Sequence, residues 1–89
     1  MKLRHIFQPR YKRLVNGIYP RNPYEGLKIN RLKRMLIYAY AQPQHFNQVL
    51  MYLAIKLKKF ALIDEDAYIK LTLEALNSVV FGVMAKIVL

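Results

Sequence analysis

A chain of 89 residues has room for one domain or a part of one, and a hydrophobic content of 55% is enough to build a core. It holds no cysteine, which excludes disulfides, thiolate metal sites, catalytic thiols and S-acylation. Fifteen Lys and Arg against five Asp and Glu give a net charge of +10, which points to a polyanionic partner: nucleic acid, anionic lipid or an acidic protein.

That charge is a property of the front of the chain. Residues 1–34 carry ten Lys and Arg against Glu25, a net +9, whereas residues 35–89 carry a net +1. Lys2, Arg4, Arg10, Lys12 and Arg13 interrupt any apolar run of signal-peptide length after Met1. Pro9, Gly17, Pro20 and Pro23 break the long amphipathic helix of a mitochondrial presequence. The tail 71–89 is long enough for a membrane span, but Glu74, Asn77 and Lys86 lie inside it, so it reads as a buried core helix.

In chain order, Pro9 suits a first helical position, and a short helix over Arg10 to Asn16 should stop at Gly17 in a left-handed conformation. Two prolines and an Asn-Pro pair make Tyr19 to Glu25 a loop, closed by Gly26. Asn30 can cap a second helix, on which Leu32, Met35, Leu36, Ala39 and Tyr40 follow helical spacing until Pro43. The third helix has the clearest pattern: Phe46, Val49, Leu50, Leu53, Leu57 and Phe60 form one stripe, with Gln48, Lys56 and Lys59 off it. Asp64, Glu65 and Asp66 then read as an acidic first turn of a fourth helix, favoured by the helix dipole. Its stripe is Ile69, Leu73, Leu76, Val80, Val83 and Ile87, and beyond Val79 it is apolar over much of its circumference, so it needs neighbours on more than one side.

Short connections force successive helices to pack antiparallel, so the expected class is all-α, with helical hairpins forming the start of an ARM/HEAT-like α-solenoid. Residues 1–26 are the basic segment with a short helix and a Pro-rich loop; residues 27–89 are a three-helix repeat module. The apolar ending Val83-Met84-Ala85-Lys86-Ile87-Val88-Leu89 has no polar cap, which suggests a longer array, with further repeats packing on the last helix, or a truncated one.

The run Pro9-Arg10-Tyr11-Lys12-Arg13-Leu14-Val15, with Ile18-Tyr19-Pro20, resembles the opening of the "eighty-five requiring" family, also called rolling blackout or Stambha. The similarity continues through Gly26-Leu27, Tyr38-Ala39, Pro43, Tyr52-Leu53-Ala54, Leu57, Tyr68 and Glu74-Ala75-Leu76, covering roughly residues 8 to 78. The resemblance implies a rod of helical repeats on the cytoplasmic face of the plasma membrane. It implies a scaffold that recruits a phosphatidylinositol 4-kinase complex through a tetratricopeptide-type adaptor and catalyses nothing itself. In that family a basic patch near the N-terminus meets acidic lipid, and in animal members a cysteine cluster just before the Pro-Arg-Tyr-Lys-Arg run is palmitoylated. Here Arg10, Lys12 and Arg13 are present and the cysteines are not, which leaves electrostatics and the apolar Leu3, Ile6 and Phe7 for anchoring. The turn before Tyr68, basic in the family, is acidic here.

The expected site is therefore an acidic-phospholipid surface of Lys2, Arg4, Arg10, Lys12, Arg13, Arg21, Arg31, Lys33 and Arg34, with Leu3, Ile6 and Phe7 inserting into the bilayer. The alternative for such a charge run is a solvated face. Arg31, Lys33 and Arg34 in a first turn capped by Asn30 would oppose the helix dipole, a local cost that suggests a binding surface. Each cation at an anionic membrane contributes about 1 kcal/mol, so five contacts give a dissociation constant only somewhat below about 1 mM, and a second signal is needed. Tyr11, Tyr19 and Tyr24 interleaved with basic residues also occur on single-stranded nucleic-acid platforms, the second reading, although no RNP, KH or zinc-knuckle motif accompanies them. His5 and His45 lie far apart and show no metal-ligand spacing, no Gly-rich phosphate loop exists, and Met35, Met51 and Met84 read as core filler. Neither a cofactor nor an enzymatic activity is expected.

Overall fold

The computed structural model describes residues 8–88, and side chains for residues 8–82. The described residues are all-α and contain no strand: α1 spans Arg10–Asn16, a 3-10 turn spans Pro23–Glu25, and α2 (Ile29–Ala41), α3 (Pro43–Leu62) and α4 (Asp66–Val88) follow. Only Gln42 separates α2 from α3, with Pro43 in the first position of α3, where its missing N–H costs nothing. This link is short enough to turn α3 back along α2, and three residues do the same between α3 and α4. The short α1 lies against both α2 and α3, while α4 packs on α3 and also reaches α2. No described helix is long and apolar enough to cross a membrane.

One core joins all four helices. Val15 of α1 and the adjoining Ile18, Met35 and Ala39 of α2, Val49 and Leu53 of α3, and Ala75 and Val79 of α4 form a single buried cluster. The α3 stripe is as expected, with Val49 and Leu53 fully buried and Phe46 and Leu50 packed around them. On α4 Leu76 of the expected stripe packs against the core, but the buried face is Leu71, Thr72, Ala75 and Val79, which puts the expected Leu73 and Val80 on the outside at 47% and 42% exposure, beside Phe81 at 63%; Val83 and Ile87 lie outside the described side chains. A helix with apolar residues on several sides gives no unique inward stripe, and here two tyrosines choose it. The Tyr40 hydroxyl donates to the backbone carbonyls of Ser78 and Val79, at 3.0 and 3.1 Å, and a Cβ on Gly82 would collide with that hydroxyl. The Tyr19 hydroxyl reaches Thr72 Oγ1 at 2.7 Å. Met51, expected in the core, is 63% exposed.

Several helix ends differ from the sequence expectation. Pro9 precedes α1, and its carbonyl accepts from Lys12 and Arg13. Gly17 ends α1 at φ −71°, ψ −16°, right-handed, so the left-handed stop is absent. Gly26 instead takes the unusual backbone at φ 84°, ψ 172°, a region open essentially only to glycine. It sits where the loop after α1 is closed by a Lys28 N–H bond to the Ile18 carbonyl. Lys28 precedes α2, so Asn30 lies within the first turn and caps nothing. Arg31 then remains in that turn, while Lys33 and Arg34 move beyond it.

The acidic run at 64–66 is split between two roles. Asp66 opens α4, whereas Asp64 closes α3 in the left-handed conformation at φ 55°. The Asp64 N–H donates to the Ala61 carbonyl and the Glu65 N–H to the Phe60 carbonyl, the paired bonds of a Schellman motif. An aspartate tolerates this backbone better than most residues, though less well than glycine. Asp64→Gly is therefore expected to raise unfolding free energy by about 0.5–1 kcal/mol and Asp64→Val to lower it by about 1 kcal/mol, as read from urea unfolding midpoints.

Candidate polyanion interface

The seven-residue α1 is too short to hold its shape alone, so its display of charge depends on what it packs against. Tyr11 and Leu14 turn inward with Val15, and Asn16 and Tyr52 of α3 exchange side-chain hydrogen bonds, the Asn16 Nδ2 donating at 3.2 Å. Tyr11 meets Tyr52 edge-on at 5.8 Å. This seating leaves Arg13 on the outer crest, with Arg10 leaning toward α2 and Lys12 toward α3. The Arg10 guanidinium lies 5.7 Å from the Tyr38 ring centre, and the Lys12 ammonium 5.6 Å from that of Tyr52.

Of the nine expected cations, four gather on one side. Arg10 and Arg34 line the same groove, and a methyl added to Gly17, at the far end of α1, would sit 3.8 Å from Arg31 Cδ. α1 and α2 therefore run in opposite directions along a shared margin that carries Arg10, Arg13, Arg31 and Arg34. Lys12 stands on the opposite flank of α1, beside Met51, Tyr52 and Ile55. Lys33 faces a different groove, with Leu36, Ile37 and Tyr40. Arg21 lies in the loop after α1, its carbonyl accepting from the Tyr68 hydroxyl at 3.2 Å. Lys2, Leu3, Arg4, Ile6 and Phe7 lie outside the described residues. α1, α2 and α3 contain no Asp or Glu; all five carboxylates fall at Glu25, Asp64, Glu65, Asp66 and Glu74. The 3-10 turn bearing Glu25 packs on α4, so the carboxylates lie on α4 and on the turns beside it, with Lys70 in the same groove as Glu74. No group of three or more His, Asp or Glu that could hold a metal ion occurs among the described residues.

The chain is 32% identical over 75 residues to EFR3 homolog A of Homo sapiens, a match that covers 84% of this chain and 9% of that relative. Over these residues the chain is a relative of the EFR3 proteins. It is also 30% identical over 75 residues to EFR3 homolog B of Danio rerio, and 29% identical over 70 residues to the EFR3 homolog of Caenorhabditis elegans, of which it covers 9% and 8%. The chain thus spans less than a tenth of the length of the EFR3 relatives it matches. No family model and no solved structure matches it.

In this EFR3 relative the aromatic residues that organise the cations were not legible as site residues. Lys56, off the α3 stripe in sequence, sits between Tyr19, Tyr52 and Phe60, with its ammonium 5.7–5.8 Å from each ring centre. Burial pushes its pKa below the usual 10.5, the neighbouring Lys59 adds to that shift, and Tyr52 opposes it. Tyr19 belongs to the same cluster, 5.7 Å from Phe60 and 6.1 Å from Tyr68. Thr72 donates its one hydroxyl proton to the Tyr68 carbonyl at 2.8 Å, so the Tyr19 hydroxyl must be the donor to Thr72. Burial raises the pKa of Tyr19 and that of Tyr40.

These shifts have opposite consequences at alkaline pH. A tyrosine whose folded pKa is raised contributes stability below its unfolded value of 10.0 and loses it as pH rises through the folded pKa. Lys56, with a depressed folded pKa, penalises the fold while charged, and that penalty fades as pH rises toward 10.5. Urea midpoints measured at pH 9 and 11 should therefore fall less in Tyr19→Phe than in the parent chain, and further in Lys56→Met, where the offset is gone.

Proposed function

We propose that this chain is the membrane-facing element of a plasma-membrane scaffold, meeting acidic phospholipid of the inner leaflet through Arg10, Arg13, Arg31 and Arg34, with Lys12 alongside. The observation that carries the reading is the shared margin of α1 and α2, where these arginines stand together on helices that contain no carboxylate. Relatedness to the EFR3 proteins supports the same direction; recruitment of a phosphatidylinositol 4-kinase complex, which the family resemblance implies, belongs in this reading to the whole scaffold. In that scaffold the kinase complex is met through a tetratricopeptide-type adaptor. The outer flank of α4, with Leu73, Val80 and Phe81 exposed, is the surface on which further helical repeats pack in this reading. Attachment is peripheral, at the cytoplasmic face.

Four cations at about 1 kcal/mol each give a dissociation constant near 1 mM, so charge alone anchors weakly. Leu3, Ile6 and Phe7 are one source of a second signal. Ile37 is another: it is 72% exposed and lines the same groove as Arg10 and Arg34. Burying such a side chain in a bilayer adds about 1.5–3 kcal/mol. The carboxylates, on α4 and the turns beside it, leave the arginine side to face a negative surface.

Arg13 and Arg31 are exposed, so reversing them leaves the fold intact. Arg13→Glu with Arg31→Glu should reduce sedimentation with phosphatidylserine vesicles by at least about tenfold, by loss of two attractions and gain of two repulsions. Unchanged sedimentation would overturn the reading. A competition between these vesicles and a random single-stranded RNA separates it from nucleic-acid binding, since both partners give salt-sensitive association.

A further inference from the structure

We propose that the groove at the start of α1 is a discrete phosphomonoester site, formed by Arg10, Arg34 and His45 over the ring of Tyr38. The proposal rests on the acidic-surface reading and narrows it to one headgroup chemistry. The groove encloses about 350 Å³ and is lined by Arg10 of α1, by Arg34, Ile37, Tyr38 and Ala41 of α2, and by His45 of α3. Arg10, Arg34 and His45 come to this one groove from three different helices. None of the three helices supplies a carboxylate to neutralise them.

Two of the three donors, Arg10 and His45, contact the Tyr38 ring. His45 stacks on Tyr38 with ring centres 4.0 Å apart and planes 5° from parallel, and the Tyr38 hydroxyl donates to Gln48 Oε1 at 3.1 Å. The Arg10 guanidinium makes a cation–π contact with the same tyrosine ring, 5.7 Å from its centre. His45 Nδ1 lies 3.2 Å from the Tyr38 carbonyl oxygen, which can only accept, so Nδ1 carries the proton and Nε2 is the nitrogen left for a ligand. That nitrogen accepts from a protonated phosphate when the ring is neutral, and donates to a phosphate oxygen when the ring is charged. His45 also occupies the first turn of the 20-residue α3, which has no side-chain cap, so the positive end of that helix dipole adds to the same region.

A phosphomonoester fits this set better than a diester or a carboxylate. Its three terminal oxygens give the two guanidiniums and the imidazole an acceptor each, and its charge approaches −2 at neutral pH. A diester offers two such oxygens and a single charge. Ile37, exposed at the rim of the groove, suits a phosphate carried at the surface of a bilayer.

The test uses the full chain with phosphatidylcholine vesicles containing either phosphatidic acid or phosphatidylserine at matched surface charge, and separately follows the His45 ring signals by NMR as inorganic phosphate is added. The parent chain should prefer the phosphatidic acid vesicles by about tenfold, the scale of one or two charge-assisted hydrogen bonds. Arg10→Gln with Arg34→Gln should abolish that preference, and His45→Gln, which spares both arginines, should reduce it. Arg13→Gln with Arg31→Gln should weaken binding to both vesicles in parallel and keep the preference. Phosphate-dependent His45 shifts without a vesicle preference assign the site to a soluble phosphate ester. The absence of both effects, or a preference that survives in the Arg10 and Arg34 variant, overturns the proposal while leaving general binding to acidic vesicles intact. A parent chain that binds neither vesicle refutes the acidic-lipid reading, and the phosphate titration still decides the site.

Discussion

The seating of α1 on α2 and α3 is the constraint on which the rest depends. Seven residues form at most two turns, too few to persist in water, and three of the seven are cations that repel one another. Val15 and Ile18 supply the apolar contribution by entering the common core. Tyr52 supplies the directional one, exchanging hydrogen bonds with Asn16 while its ring faces both Tyr11 and the Lys12 ammonium. Without those contacts the arginines of α1 would sample many directions. With them, one margin of the molecule is committed to positive charge.

Aromatic rings recur wherever a cation is held. Tyr38 lies under Arg10, Tyr52 under Lys12, and Tyr19, Tyr52 and Phe60 around Lys56. Ring faces attract a cation without neutralising it, so the positive field remains available to an external anion. A carboxylate in the same places would have extinguished that field. The two kinds of contact also divide the labour. Lys56 is half-buried and ties the loop after α1 to α3, whereas Arg10 and Lys12 flank an open crest. The cluster of Tyr19, Phe60 and Tyr68, closed by the Thr72 bond, holds that loop on α4.

How much of this the sequence discloses follows from which residues have a single physical role. Pro43 has one, and it placed the α2–α3 turn; the α3 stripe has a wide polar face opposite it, so its inward side was legible. α4 lacks such contrast. Its inward face is decided by Thr72, Ala75 and Gly82, small or polar residues that look unpromising in a hydrophobic pattern but are what Tyr19 and Tyr40 require. Asp64 misled because an acidic residue before a helix usually stabilises its start, whereas here the φ of 55° makes it the end of the preceding one. The basic site was legible as an inventory only. That Arg10, Arg13, Arg31 and Arg34 meet while Lys12, Lys33 and Arg21 diverge depends on the antiparallel pairing of α1 and α2, a tertiary fact that charge counts do not contain. His45 and Tyr38 carry no motif, and the stack that joins them exists only after the one-residue link at Gln42 has folded α3 back.

The segregation of charge has an energetic logic that separates a binding face from a merely solvated one. Lys28 and Arg31 stand at the start of α2, where the helix dipole opposes them, and no acid is present in that first turn to compensate. Arg10 and Arg34 share one groove, so each raises the cost of the other's charge. Meanwhile the carboxylates that could have relieved both sit on α4 and on the turns beside it. A solvated surface gains nothing from leaving these cations without a carboxylate on their own helices, because mixing opposite charges would lower the self-energy of the fold. An external polyanion reverses that balance: the same unpaired cations then gain an interaction absent from the isolated chain, and the energy withheld from folding is recovered on binding.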